Sequence, residues 1–362
     1  MTDTFYSSPQ PVFTIDGDVK GELARDVVRI EVEESTGGLK RLRAHLAAFD
    51  PESTSQSEDL LYLDGSILDF GKSLRFAIGP AAEARTVFDG YISAIEASFK
   101  EAREPEVVVF AEDRLMDLRM TRRMKTWEQM SDAAIAEAIA AEHGMTPVVA
   151  ADGPTYDSVQ QWNMSDLAFL RERARRIQAE VWCDGETLGF QTRANRTGTD
   201  LTLVRGNQLM IAQIRADLAH QRTSVHISGY DSRERDVIDE QADNSAIQSE
   251  ISGGKTGPDI LKSAFGERVS HRVRDTPLTS TEASDWATAE MRRRARGFVQ
   301  VTGMTDGTPD MIVGSQLTLE RVGQPFEGGN YYVTKVRHTY DRTSAFRTHF
   351  EAERATVEGD AA

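Results

Sequence analysis

Val28, Ile30 and Val32 alternate with Arg29, Glu31 and Glu33, the period of a half-buried strand. Gly37-Gly38 then offers a turn, because glycine reaches positive φ at little cost. After the turn, Leu42, Ala44, Leu46 and Ala48 alternate with polar neighbours. The same stretch also fits a helix through Leu39, Leu42, Leu46 and Phe49; the preceding hairpin signal selects the strand. Leu74, Phe76 and Ile78 alternate again, and 87–99 and 105–111 predict two further strands, with Gly90 as a bulge or bend. Five or six strands without a helix predict a small antiparallel barrel.

The period changes near residue 126. Thr126 followed by Gln129 has the spacing of a capping box, and Trp127, Met130, Ala134, Ile135, Ala138 and Ile139 form one apolar stripe. Gly144 sits where a helix ends, with Pro147 beyond it. A second helix is predicted from Ser165-Asp166, with Leu167, Leu170, Ala174 and Ile177 on one face. The charged residues Arg171, Glu172, Arg173, Arg175 and Arg176 fall mostly elsewhere, so Arg173 is expected to be solvated. Glu180–Cys183, an Asp184-Gly185 turn and 187–191 read as a hairpin.

Strand character returns over 208–230. The polar, glycine-bearing stretch 241–258 reads as a surface loop. A third helix is predicted at about 282–296, with Ala283, Ala287, Met291 and Ala295 inward and Gly297 closing it. Leu317 and Leu319, then 332–337, then 347–353 supply closing strands. The layout is strands, an α/β insert, and strands again with one more helical excursion.

Charge and composition narrow the classes. The chain of 362 residues is 39% hydrophobic, enough for real cores, and at about 150 residues per domain it suggests two or three domains. Its 58 acidic residues exceed 42 basic ones, giving a net charge of −16. That argues against specific nucleic-acid binding, which leaves a basic footprint. A single cysteine, Cys183, excludes an intrachain disulfide and a cysteine-based zinc site. The N-terminus lacks the charged and apolar regions of a signal peptide. No apolar run approaches the roughly 20 residues of a membrane span. The expectation is a protein made in the cytoplasm without a membrane anchor.

Motifs for chemistry are missing. Gly253-Gly254-Lys255-Thr256 resembles the end of a phosphate loop, but Ser249 stands where the first glycine belongs, and a flexible loop is the expectation. The histidines at 45, 143, 220, 226, 271, 338 and 349 have no zinc-binding spacing. His143 precedes a helix-ending glycine, where a cation suits the dipole. No nucleophile elbow is present. Cys183, next to Trp182, reads as a small apolar filler. The expectation is no catalytic, cofactor-binding or metal-binding residue and no cofactor. Three basic clusters, Arg119 to Lys125, Arg171 to Arg176 and Arg292 to Arg296, read either as solvated, salt-bridged faces or as a protein-binding patch.

Two stretches carry a family likeness. Gln161-Trp-Asn-Met-Ser-Asp-Leu-Ala-Phe-Leu, continuing to Ile177, and then Glu180 to Phe190 resemble a segment of the phage late control D family. Pro309 to Leu319, Gly328-Gly-Asn-Tyr-Tyr-Val-Thr-Lys-Val-Arg-His338 and Thr348 to Arg354 resemble its closing strands. The family includes baseplate hubs of contractile tails and the N-terminal part of type VI secretion spike proteins. The resemblance implies a β-rich α+β chain, with two small antiparallel β-barrel-like domains and an α/β domain inserted between them, assembled as a ring-shaped homotrimer. The first barrel would span about 5–110 and the α/β domain about 111–207 plus 240–296. The second barrel would span about 208–239 plus 297–356, leaving a tail at 357–362. The two barrels are expected to superpose without a visible sequence repeat. Such a trimer has a pseudo-sixfold ring that adapts a hexameric inner tube to a trimeric spike. The implied partners are other copies of the chain, the inner tube protein, a separate trimeric spike protein and baseplate wedge proteins, in a virion tail or injection particle. A tail-tip hydrolase and a free-standing protein-binding adaptor are the alternatives.

Overall fold

A computed structural model describes residues 10–49, 60–79, 84–101, 103–151, 153–272 and 279–358. Positions 5–9 of the expected first barrel and 359–362 of the expected tail lie outside them. The first lobe runs β1 (Gln10–Ile15), β2 (Asp18–Val19), a short helix α1 (Gly21–Asp26), β3 (Val27–Ser35), β4 (Arg41–Ala47), β5 (Ser73–Gly79), β6 (Arg85–Ser98) and β7 (Glu106–Glu112). Alternation decides each strand: in β4, Leu42, Ala44 and Leu46 are buried while Arg41 and Arg43 are exposed. The inward residues, among them Phe13, Ile30, Phe76, Phe88 and Val107, share one apolar cluster. Helix α1, which the alternation did not predict, adds Leu23 to it.

The middle of the chain runs α2 (Leu115–Met120), β8 (Arg122–Ser131), α3 (Asp132–Glu142), β9 (Thr146–Ala150), β10 (Thr155–Ser165), α4 (Asp166–Ile177), β11 (Ala179–Asp184) and β12 (Thr187–Thr192). The helix expected from about residue 126 begins at Asp132 instead. Ser131, not Thr126, caps it, its hydroxyl accepting from the Ala134 amide. Trp127 lies on β8, which pairs with β10, so its burial follows a strand face. Helix α4 starts at its Ser165 cap, and Leu167, Leu170, Ala174 and Ile177 are buried. Arg173 is also buried, contrary to the expected solvated position.

The remainder comprises β13 (Asp200–Val204), β14 (Leu209–Ala216), β15 (Ser224–Asp231), β16 (Asp236–Asp243), a 3-10 helix at Asn244–Glu250, β17 (Lys255–Thr256), α5 (Gly257–Phe265), β18 (Val269–Arg272), α6 (Ser280–Arg296), β19 (Val299–Asp306), β20 (Gln316–Glu320), β21 (Gly328–Asp341), β22 (Ala345–Arg354) and β23 (Thr356–Val357). The stretch 241–258 is therefore not one loop: it holds the end of β16, the 3-10 helix, β17 and the start of α5. Residues 224–239, expected in the second barrel, lie instead in a separate sheet, β16-β15-β18, whose third strand comes from 269–272. That sheet buries Val225, Ile227 and Ile238 against Ala283, Ala287 and Met291 of α6.

The two β-rich lobes share one continuous sheet, because β21 pairs antiparallel with β3. They also share a plan. In the first lobe the order is β1-β5-β6-β7-β4-β3, and in the second β13-β20-β21-β22-β19-β14. Ranked by position in the chain, both read first, fourth, fifth, sixth, third, second, with β2 set aside. The irregularities coincide too. Register shifts fall between Phe76 and Ala77 on β5 and between Leu317 and Leu319 on β20, each against its lobe's fifth strand. They recur between Ile92 and Ala94 on β6 and between Val333 and Lys335 on β21, each against the sixth strand. A third pair falls between Val27 and Arg29 on β3 and between Leu209 and Ile211 on β14. The lobes differ at the first strand, since β1 is antiparallel to β5 whereas β13 is parallel to β20. The chain is thus a β-rich α+β protein with mostly antiparallel sheets.

Candidate functional site

The features that could serve assembly lie where the lobes and the α/β region meet and where the shared sheet stops. Gly38 makes the first approach feasible. It holds φ +65°, and a Cβ there would stand 2.3 Å from the Val181 carbonyl oxygen of β11. Arg171 of α4 fastens the same turn, donating from Nε to the Gly37 carbonyl at 2.5 Å and from Nη2 to that of Gly38 at 3.1 Å.

Glu180 on β11 is the centre of a buried charged junction. It accepts from Arg193 at 3.2 Å, from Arg196 at 3.0 Å and from the Tyr332 hydroxyl at 2.7 Å. Arg196 also donates to Glu34 on β3 at 2.8 Å, and Arg193 reaches Glu353 on β22 at 2.5 Å. One carboxylate therefore ties the α/β region to both lobes. Burial, more than the nearby Glu180, pushes the Tyr332 phenol far above its ordinary range, so the hydroxyl stays a donor. Breaking one partner of such a buried set typically costs about 3–5 kcal/mol.

Two of the three basic clusters come together beside this junction. A cavity of about 640 Å³ is lined by Arg171, Arg175, Arg193, Arg293, Arg294 and Arg296 among others. Glu290 answers Arg293 and Arg294, each at 2.8 Å, and Glu250 grips Arg296 through two 2.7 Å bonds. Arg175 has no ionic partner among the described residues. The third cluster lies at the end of α2 and on β8. There Arg119 pairs with Glu112, and Arg123 and Lys125 pair with Glu142.

Arg173 belongs to none of these surfaces. Its Nε donates to Asp132, which also accepts from the Tyr156 hydroxyl at 3.0 Å, and its guanidinium stacks 4.3 Å from the Tyr156 ring centre. No local pattern pairs residues 132 and 173, so periodicity alone could not find this contact.

The histidines are dispersed. His143 caps α3 and bonds Asp166 at 2.8 Å. His338 is buried, with Nδ1 on the Thr348 hydroxyl and Nε2 on the Met311 carbonyl, and burial pushes its pKa down to about 3. His226 and His271 sit side by side on paired strands, ring centres 5.0 Å apart. Among the described residues no three His, Cys, Asp or Glu side chains group as metal ligands. Cys183 is buried, and burial raises its thiol to about 12, far from a nucleophile's range. The Gly253-Gly254-Lys255-Thr256 motif, expected as a flexible loop, is a cap: Thr256 accepts from the Asp259 amide and opens α5. Among the described residues no helix is long and apolar enough to cross a membrane.

Several edges of the shared sheet meet no strand among the described residues, the outer edge of β13 included, and two of them bear on how the lobes join. Beyond Ile92, the edge of β6 opposite β7 meets no strand among the described residues, and neither does that of β14 from Ile211 onward. Large apolar side chains lie bare at both, with Phe99 71% exposed, Ile211 58% and Met210 47%. Sequence reading missed these edges, because a strand's period reports its faces and not whether its edge is paired.

Residues 14–341 match the family model described as the Alg8 N-terminal domain. No curated protein matches the sequence. Among solved structures, the 43 kDa tail protein of prophage MuSo2 from Shewanella oneidensis aligns with a TM-score of 0.70 at 13% identity, covering 97% of this chain and 100% of that one. The tail protein from Neisseria meningitidis MC58 aligns at 0.65 with 12% identity, covering 96% of each chain. An E. coli component of the type VI secretion system, itself similar to the T4 tail proteins gp27 and gp5, aligns at 0.56 with 13% identity, covering 92% of this chain and 74% of that one. At such identities the likeness is one of fold, and the fold is that of phage tail and type VI secretion spike-related proteins.

Proposed function

From a chain that belongs to the Alg8 N-terminal domain family and carries the tail-protein fold, we propose a structural baseplate hub of a contractile injection system or phage tail. It acts as a homotrimer whose two barrel-like lobes per chain make a pseudo-sixfold ring. One side of the ring receives the hexameric inner tube, and the other receives a separate trimeric spike. Baseplate wedge proteins bind around it. The observation that carries this reading is the repeated strand order, with its three matched register shifts, in two lobes of one chain. Three copies then present six similar modules, which is what a threefold body needs to meet a sixfold tube.

The domain assignment follows the same division, with a first tube-attachment lobe, an α/β region and a second lobe closed by β19 to β22. The acidic chain and its ion-paired arginines suit a protein scaffold better than a nucleic-acid surface. We assign it no catalytic residue, because among the described residues the buried Cys183 and the dispersed histidines offer no nucleophile–base pair.

The test is co-purification with the inner tube and spike proteins of the same particle. The reading predicts that the full chain binds both at once, three copies to one spike trimer. A chain that binds neither, or that hydrolyses peptidoglycan until one Asp or Glu is substituted, contradicts it.

A further inference from the structure

The repeat inside the chain also specifies how copies meet. The lobes are joined by the second half of β21, which pairs with β3 from Lys335 opposite Ser35 to Asp341 opposite Arg29. The first half of the same β21 edge is taken by β20, up to backbone bonds from Gly314 to Val333 and from Val333 to Ser315, both 2.9 Å. The first lobe repeats this arrangement. β5 takes the first half of the β6 edge, ending at bonds from Gly71 to Ile92 at 2.9 Å and from Ile92 to Lys72 at 3.0 Å. Beyond Ile92 the place held by β3 in the second lobe stands open. On the other side, β14 is the counterpart of β3, and its outer edge is open as well.

We propose that the open half of β6 pairs antiparallel with β14 of a second copy of this chain, as β21 pairs with β3 inside each copy. The matched register shifts fix the register. Val333 corresponds to Ile92 and Lys335 to Ala94, each pair flanking its bulge. Arg29 likewise corresponds to Ile211. Carried across, Ile95 faces Ala216, Glu96 faces Arg215, Ala97 faces Ile214 and Ser98 faces Gln213 of the next copy. The chemistry agrees with this placement. Glu96 and Arg215 are opposite charges on facing strands. In the same register Phe99 falls opposite Ala212 and Lys100 opposite Ile211, on the two faces of the sheet. Unpaired edges of this length are what native proteins cover.

The contact is heterologous, β6 of one copy on β14 of the next, and it closes when the ring is complete. With three copies, β14, β19, β22, β21, β3, β4, β7 and β6 of each join one uninterrupted sheet. This rests on the hub reading for the number of copies, and the pairing itself rests on the repeat.

Cysteine pairs test the register directly. Ala97→Cys with Ile214→Cys, and separately Ser98→Cys with Gln213→Cys, place facing side chains across the seam, so one pair falls at each kind of antiparallel position. Oxidation of the full chain is expected to yield a covalent trimer that survives denaturation. The slipped pair Ala97→Cys with Gln213→Cys points to opposite faces and is expected to give at least tenfold less product. Cys183 is buried and serves as the unreactive background. Sedimentation of each reduced variant checks that it still folds and assembles. A wild-type chain that sediments as a trimer while neither facing pair cross-links overturns the pairing alone. Cross-linking of the slipped pair in preference overturns the register. A wild-type chain that stays monomeric overturns both the pairing and the trimeric hub.

Discussion

At the scale of single residues, the costs concentrate where charge is buried with a partner. Arg173 looks interchangeable with Arg175 in the sequence, two residues along a basic helix. The fold separates them: Arg173 is 3% exposed against Asp132 and Tyr156, whereas Arg175 is exposed. Arg173→Ala is expected to cost about 3–5 kcal/mol by stranding Asp132. Arg175→Ala is expected to stay within about 0.5 kcal/mol. Urea melts of the two variants compare them, and equal losses would contradict the burial of Arg173. His338 gives a pH signature. Its folded pKa is about 3 against an ordinary 6.5, so the unfolded chain takes the proton first as pH falls. Its contribution is whole above pH 6.5 and is lost as pH falls toward 3. Asp113, raised by burial to about 7, acts oppositely, its contribution fading as pH rises from 3.8 through 7. His338→Gln removes only the first. The stability gap between wild type and His338→Gln should narrow below pH 6.5, by up to about 1.4 kcal/mol per pH unit. A gap constant from pH 7.5 to 4.5 would refute the neutral buried imidazole.

At the scale of elements, periodicity recovered what burial on one face determines. The strands from Val27 to Glu112 and the face of α4 were legible because each alternates or repeats against a single core. Leu170→Ala is expected to cost about 2–5 kcal/mol, the range for a core leucine, as read by denaturant unfolding; a loss under 1 kcal/mol would contradict the face. The start of α3 was misplaced because Trp127 and Met130 happen to continue a helical spacing that Ser131 in fact opens. Residues 224–239 alternate as a barrel strand would. Their partners are chosen by α6, which supplies the apolar surface they cover. The Glu180 junction was invisible for a related reason, since its partners lie between 13 and 152 residues away. Glu180→Ala should cost about 3–5 kcal/mol in thermal or urea unfolding, and a neutral effect would remove it as the tie between lobes.

At the scale of the molecule, the sequence shows no repeat, yet the lobes share strand order and the sites of three register shifts. Only positions of burial and bulge are held in common, so the identities of facing side chains could diverge without loss of shape. The charge of −16 opposes unspecific association, and the proposed strand pairing between copies would cover the open edges. Whether three copies present six similar lobes to a tube is decided by cryo-electron microscopy of the purified full chain. The expected image is a threefold ring in which the lobes built on β6 and on β21 alternate at one height along the axis. Lobes at two heights, with only one kind reaching the tube-facing rim, would contradict it.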